Sequence, residues 1–515
     1  MADRLDAALA VLPERLGWHV ALSASALALG LAIALPLGIA AARSPRLKWI
    51  ALASAGLVQT IPSLALLALF YPILLLLSGL AERGLGHGFP ALGFLPSLLA
   101  LTLYSMLPIL RNAAAGVSGI DPSVVEAAKG VGMTDRQRLW RVELPLSAPV
   151  IMAGVRTAAV WTIGAATLST PVGQTSLGDY IFSGLQTEDW VAVLVGCAAS
   201  AGLALVVDGL LGLIEAGVAH RDGKRLWVGG LGLVIGLVAA LAPLAIGVLA
   251  QGRPSYVIGA KNFSEQYILA EMMAGRLERE GASVQRRVNL GSAVAYRALA
   301  AGEIDAYVDY SGTLWANVLN RQDNPGRQAV LDGLRTELKA RDGVLLLAPL
   351  GFENAYALAM RRDRAEQLGI RSLSDLAAHA PELTMGGDLE FFSRPEWAAV
   401  EKAYGLSFKA KRQFQPTFMY RALQSREADV ISAFSSDGRI AADDLVLLTD
   451  PKGALPPYDA VILVAAKRAA DRRLLEALRP LSGAISLQAM QAANYAVDRD
   501  TGKKSPAEAA AMLAR

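Results

Sequence analysis

Residues that could do chemistry gather in two kinds of place. One is a charged stretch, VVEAAKGVGMTDRQRLWRVELPLSAP at residues 124–149, where Glu126, Lys129, Asp135, Arg136, Arg138, Arg141 and Glu143 stand between long uncharged runs. The other is a set of short segments in the C-terminal half: KNFSEQ, LGSA, DYSGT, FSSDGR and PPYDA. These offer hydroxyl, amide, carboxylate and aromatic groups at the ends of apolar runs. Neither set reads as catalysis. His19, His87, His220 and His379 are scattered, and no nucleophile–base pair or metal-ligand spacing appears. Cys197, the only cysteine, lies inside an apolar run, which excludes a disulfide framework and a thiol metal site. The nearest approach to a phosphate loop is GKKS at Gly502–Ser505, with Val497 where the first glycine belongs. The chain is expected to be no enzyme and to carry no metal or cofactor.

The elements that position these residues divide the chain. Hydrophobic residues make up 53% and charged residues 18%, a balance shifted towards membrane proteins. No Asp, Glu, Lys or Arg occurs in 17–42, 49–81, 84–110, 157–178, 190–207 or 226–250. A helix needs about 20 such residues to cross a bilayer. Spans are expected near 17–42, 49–80, 94–117, 150–170, 190–215 and 226–250. The first 16 residues carry acids and bases and no cleavable-signal pattern, so the first span is expected to stay as an anchor.

Lys and Arg mark the cytoplasmic loops. Arg43, Arg46 and Lys48 follow the first span; Lys129, Arg136, Arg138 and Arg141 lie in the charged stretch; Arg221, Lys224 and Arg225 precede the sixth span. The alternate connections hold only Arg83 between them. This places the N-terminus outside, the charged stretch in the cytoplasm, and everything after Gln251 outside. Two intramembrane charges, Arg156 and Asp208, lie near span ends, where snorkelling makes a structural role the simpler expectation.

Within the charged stretch, Val124–Lys129 reads as a short helix ended by Gly130 and Gly132, with a second helical segment over Asp135–Val142. Spacing alone is compatible with a solvated turn. The stretch EAAKGVGMTDRQRLWRVELPLSAPVIMAGVR, however, resembles the EAA motif of ABC-importer permeases, with the motif glycine at Gly132 and an additional one at Gly130. LVQTIPSLALLALF, YSMLPILRN and GVRTAAVWTIGAATLSTPVGQTSLGDYIFSGL extend the likeness to the quaternary-amine, osmoprotectant-type permeases of MetI-like fold, over most of 17–215. The resemblance implies that Glu126, Ala127, Ala128 and Gly132 couple to a separate cytoplasmic ATPase, and that two permease domains pair as a homodimer.

From Arg253 onward strands and helices alternate. YVIGA, VQRRVNL, IDAYVDY, NAYALAM, LTMGG, ADVISAF and AVILVAA read as strands, and the β-α-β order predicts a parallel sheet with helices on its faces. Ligands on such sheets bind beyond the carboxyl ends of the strands. In family order, IGAKNFSEQYILAEM, NLGSA, GEIDAYVDYSGT, GFENAYALAM, FSSDGRI and LPPYDA resemble the type II periplasmic binding proteins of the osmoprotectant class. The resemblance implies an α/β two-lobed domain and, at Tyr310, Phe434 and Tyr458, an aromatic cage. A quaternary ammonium cannot donate a hydrogen bond, so aromatic faces must hold it. Tyr356, from a fourth segment, joins these candidates; core or cleft-wall packing is the alternative for all four. Phe434 keeps a π face where the family more often has Tyr. Trp315 reads as packing. Ser292, Gln266, Thr313 and Arg394 are candidates for the ligand's other end, Arg394 as a bidentate partner for a carboxylate.

The organisation read from the sequence is a permease domain over 1–220 with its coupling loop at 118–148, a sixth span and linker over 221–252, and a binding domain over 253–515. Its lobes are expected at about 255–353 plus 459–515, and 354–458, with a hinge near Asn354–Tyr356 and Tyr458–Ala460. The expected function is import of glycine betaine, choline, carnitine or ergothioneine as a multi-pass inner-membrane subunit. An amino-acid importer is the alternative and would need paired charges in place of the aromatic box. A ligand sensor would need a cytoplasmic output domain, and only short loops are available. No basic block with interleaved aromatics points to nucleic acid.

Overall fold

The computed structural model describes residues 2–187, 189–251, 255–321, 323–414, 416–499 and 501–513. The chain forms two compact units, 1–182 with 190–252, and 183–189 with 253–515.

The first unit is helical. Among the described residues, six helices are long and apolar enough to cross a membrane: Arg4–Ala42, Ser63–Leu85, Phe94–Ser118, Asp135–Val172, Trp190–His220 and Gly223–Ile246. The run expected as one span over 49–80 is broken. A helix over Pro45–Thr60 stops at Ile61, which is extended at φ −77° and ψ 126° before Pro62, and a new helix starts at Ser63. Proline clashes with an α-helical conformation in the residue before it, so the uncharged run yields two helices. Close approach of the first helix to Phe94–Ser118 depends on small residues. A Cβ at Gly38 would lie 2.6 Å from the Ala113 Cβ and 3.1 Å from the Leu110 carbonyl. Such contacts supply packing where lipid offers no hydrophobic drive. Arg156 and Asp208 form a pair: the guanidinium donates to both Asp208 oxygens at 3.0 and 2.9 Å, and to Glu215 at 2.6 Å.

The charged stretch folds by local chemistry. Asp121 caps a helix over Pro122–Gly130, accepting from the Ser123 N–H at 2.8 Å. Gly132, at φ +79°, closes it: the Met133 N–H bonds the Ala128 carbonyl and the Gly132 N–H bonds the Lys129 carbonyl, the paired bonds of a left-handed C-terminal cap. Gly130 is the last residue of the helix. Thr134 and Gln137 then form a capping box for Asp135–Arg138. A π-helical turn over Leu139–Glu143 runs directly into the helix Leu144–Ala166. The separate segment expected over 135–142 is therefore the beginning of the next span.

The second unit carries two five-stranded sheets. Its strands are β1 (Tyr256–Lys261), β2 (Val284–Leu290), β3 (Ala306–Tyr310), β4 (Leu345–Glu353), β5 (Tyr356–Arg361), β6 (Thr384–Gly387), β7 (Ala410–Gln413), β8 (Val430–Phe434), β9 (Leu445–Leu447) and β10 (Asp459–Val464). One sheet is ordered β2-β1-β3-β10-β4 and the other β7-β6-β8-β5-β9. Each is mixed. β1 is parallel to β2 and β3, and β6 to β7 and β8, whereas β10 and β5 run antiparallel to their neighbours. The antiparallel strands are those entered when the chain crosses between sheets, at Asn354–Ala355 and again before β10. The two crossings are joined where the Asn354 N–H donates to the Tyr458 carbonyl at 3.0 Å.

Candidate ligand-binding site

A cavity of about 150 Å³ lies in the second unit where strand ends from both sheets meet. Tyr310 ends β3, Tyr356 begins β5, Phe434 ends β8 and Tyr458 directly precedes β10. All four line the cavity, together with Ser292, Thr313 and Arg394. The sheet register brings Tyr356 opposite Phe434, and their ring centroids lie 4.8 Å apart. Tyr458 meets Tyr356 edge-on at 5.4 Å. Phe263 stacks on Tyr310 at 6.2 Å. The Arg394 guanidinium lies 5.3 Å from the Tyr356 ring centre, so Tyr356 sits at the middle of the aromatic group with a cation on one side.

Gln266 is held outside the cavity lining. Its amide nitrogen donates to the Tyr310 hydroxyl at 3.1 Å, and its carbonyl accepts from the Lys261 backbone at 3.3 Å. Ser292 begins the helix Ser292–Ala300 after β2. Trp315 is buried, and its indole donates to the Asp323 carbonyl at 2.9 Å.

Several groups at the site were not singled out by sequence reasoning. Glu265, in the first turn of the helix Ser264–Arg279, is buried and accepts from Tyr310 at 2.5 Å, Asn354 at 3.1 Å and Asn494 at 2.8 Å. Burial pushes its carboxyl above the usual range, opposed by hydrogen bonds from Ser436, Tyr310, Asn494 and Asn354. Glu396 accepts from the Tyr458 hydroxyl at 2.5 Å and lies 3.6 Å from Arg394. Burial, and then the adjacent carboxylates, push both phenols well above their ordinary value, so they remain donors. Lys261 and Asp309 form a buried ion pair, and Asp309 also accepts from Tyr307 at 2.5 Å. Arg439 binds Asp437 and stacks 3.9 Å from the Tyr420 ring. Burial alone would raise Asp437, but Arg439 prevails and holds it low. The signal available was position: Lys261 and Glu265 fall within KNFSEQ, and Asp437 and Arg439 within FSSDGR.

Comparison with known proteins accounts for both units. Residues 254–513 match the substrate binding domain of ABC-type glycine betaine transport systems, and residues 34–220 match the inner membrane component of binding-protein-dependent transport systems. The chain is 28% identical over 487 residues to the ergothioneine transport permease/ergothioneine binding protein EgtU of Helicobacter pylori (strain G27), covering 91% of this chain and 84% of that one. It is 38% identical over 208 residues to the choline transport system permease protein OpuBB of Bacillus subtilis (strain 168), covering 40% of this chain and 88% of the relative. A crystal structure of a glycine betaine/carnitine/choline ABC transporter aligns with 29% identity and a TM-score of 0.45, over 50% of this chain and 96% of its own. This chain belongs to the ABC-type osmoprotectant uptake family, as a fusion of its inner-membrane permease with its substrate-binding domain.

Proposed function

We propose that this chain is the permease and ligand-capturing subunit of an ATP-driven importer, and that its cavity holds a quaternary-ammonium zwitterion in an aromatic cage. The observation that carries this is the convergence of Tyr310, Tyr356, Phe434 and Tyr458, from four separate segments, on one cavity. A trimethylammonium group has no N–H to donate, and π faces attract it without requiring one. Arg394, at the same cavity, suits a carboxylate at the other end. Ergothioneine and glycine betaine carry both groups, whereas choline lacks the carboxylate. Ergothioneine is the leading candidate, because a relative that aligns with both halves in one chain is named for it.

In this reading the capping-box segment docks an ATPase chain. Glu126 and Ala127 are exposed there, and Val131 and Trp140 present apolar surface at 74% and 64% exposure. Glu143 is buried between Arg138 and Arg43, accepting at 2.7 and 2.8 Å, which fastens the segment to the end of the first helix. A thrust on it would thus reach two spans at once. Two such chains pair to enclose the path. The ligand-binding unit lies on the extracytoplasmic side, a placement supported by the distribution of Lys and Arg, and closes at the two crossings around Asn354 and Tyr458.

Deleting the gene from its host should abolish uptake of one labelled quaternary-ammonium compound. The wild-type gene should restore it and Tyr458→Ala should not. Uptake that survives deletion, or is fully restored by Tyr458→Ala, overturns the reading.

A further inference from the structure

Resting on the cage reading above, we propose that Glu265 and Glu396 are positioning residues that strengthen the cage: each buried carboxylate accepts the hydroxyl proton of a cage tyrosine, Tyr310 or Tyr458, and makes that ring a better seat for a permanent cation. Both acids are buried, at 2% and 3% exposure, and both contacts are 2.5 Å. A phenol that donates to an anion is polarised towards its ring, and the low dielectric of the interior amplifies the effect. The cation–π attraction is electrostatic in origin, so added negative charge on the ring side deepens it.

The surroundings of Glu265 identify it as the stronger of the two. Its hydrogen-bond partners are Tyr310, Asn354, Asn494 and Ser436. All four can donate, as an acceptor-only carboxylate requires. All four are neutral. Two other acids of the cavity wall are paired with cations: Asp309 with Lys261, and Asp437 with Arg439. Part of the Glu396 charge is offset by Arg394 at 3.6 Å. Glu265 therefore places an anion in the wall without a cation among its bonded partners. A buried anion of this kind is costly, and a bound ammonium offsets that cost, so the charge favours the occupied state of the cage.

The test uses the full chain in lipid nanodiscs and titrates ergothioneine and glycine betaine, each beside a carbon isostere with tert-butyl in place of trimethylammonium. Glu265→Gln should weaken the ammonium compound by about tenfold or more while moving its isostere much less, in keeping with the electrostatic share of a desolvated cation–π contact. Tyr310→Phe should reproduce much of the loss, and combining the two changes should cost clearly less than their sum. Glu396→Gln should act in the same direction with a smaller effect, and carries the test where Glu265→Gln does not fold. Equal loss for ammonium and isostere, or additive losses, would show that the acids merely support the structure and would overturn the proposal while leaving the cage intact. A wild-type chain that does not prefer either ammonium compound over its isostere would sink the cage and this inference together.

Discussion

At the scale of the residue, burial and hydrogen bonding set the behaviour of the site's acids. Asp498 accepts from Ser264, and burial, against the pull of Arg439, raises its carboxyl to about 6. In the unfolded chain it would ionise near its ordinary value of about 3.9. Folding thus favours the protonated acid. Its contribution to stability is complete below about pH 4 and is lost as pH rises through about 6. Asp498→Asn removes that dependence, so its thermal midpoint should gain on the wild type as pH is raised from about 5 to about 7.5. Equal midpoint differences across that range would show that Asp498 does not titrate there. Individual residues were legible in the sequence where a motif framed them. Tyr310 and Phe434 end strands and Tyr458 directly precedes one, in segments flagged by composition and resemblance, and all three line one cavity. Glu265 and Glu396 were not legible as partners, because their bonds to Tyr310 and Tyr458 span 45 and 62 residues of sequence and no local spacing encodes them.

The elements show where periodicity carries information and where it fails. AVILV is a continuous apolar run and VISAF is broken only by Ser432, the signature of strands covered on both faces. β7 is AKRQ, largely exposed, and leaves no apolar trace; β9 is LVL, apolar but too short at three residues to stand out. β4 carries Pro349 and Gly351, residues that argue against a strand, and its register against β10 shifts in that region. The antiparallel direction of β5 and β10 follows from where the chain crosses between sheets, which alternation cannot reveal. In the permease unit the same limit appears at Ile61–Pro62, where charge is absent on both sides and only the proline marks the break. The charged segment after Asp121 was more legible, because its caps are local: Asp121, Gly132, and Thr134 with Gln137. Ala127, exposed on that segment, makes a direct test of docking. Ala127→Trp should leave ligand titration unchanged and abolish ligand-stimulated ATP hydrolysis in the assembled transporter. Retained stimulation would show that the ATPase docks elsewhere.

For the whole molecule, the account requires that the coupling segment and the ligand-binding unit face opposite sides of the membrane. With Cys197 replaced by Ser, single cysteines can be placed at Lys339 and at Val131, both exposed. A membrane-impermeant maleimide should label Lys339→Cys on intact spheroplasts, and Val131→Cys only after permeabilisation. Labelling of both without permeabilisation would reverse the assignment of the charged segment. The central claim, however, is the ligand's chemistry, and it is tested most directly by calorimetric titration of the full chain in nanodiscs. The panel is ergothioneine, glycine betaine, carnitine, choline, arginine and glutamine, each repeated on Tyr458→Ala. The account predicts saturable binding of a trimethylammonium compound, tightest for one that also carries a carboxylate, and its loss in the variant. Binding confined to arginine or glutamine, or binding indifferent to Tyr458, would contradict it.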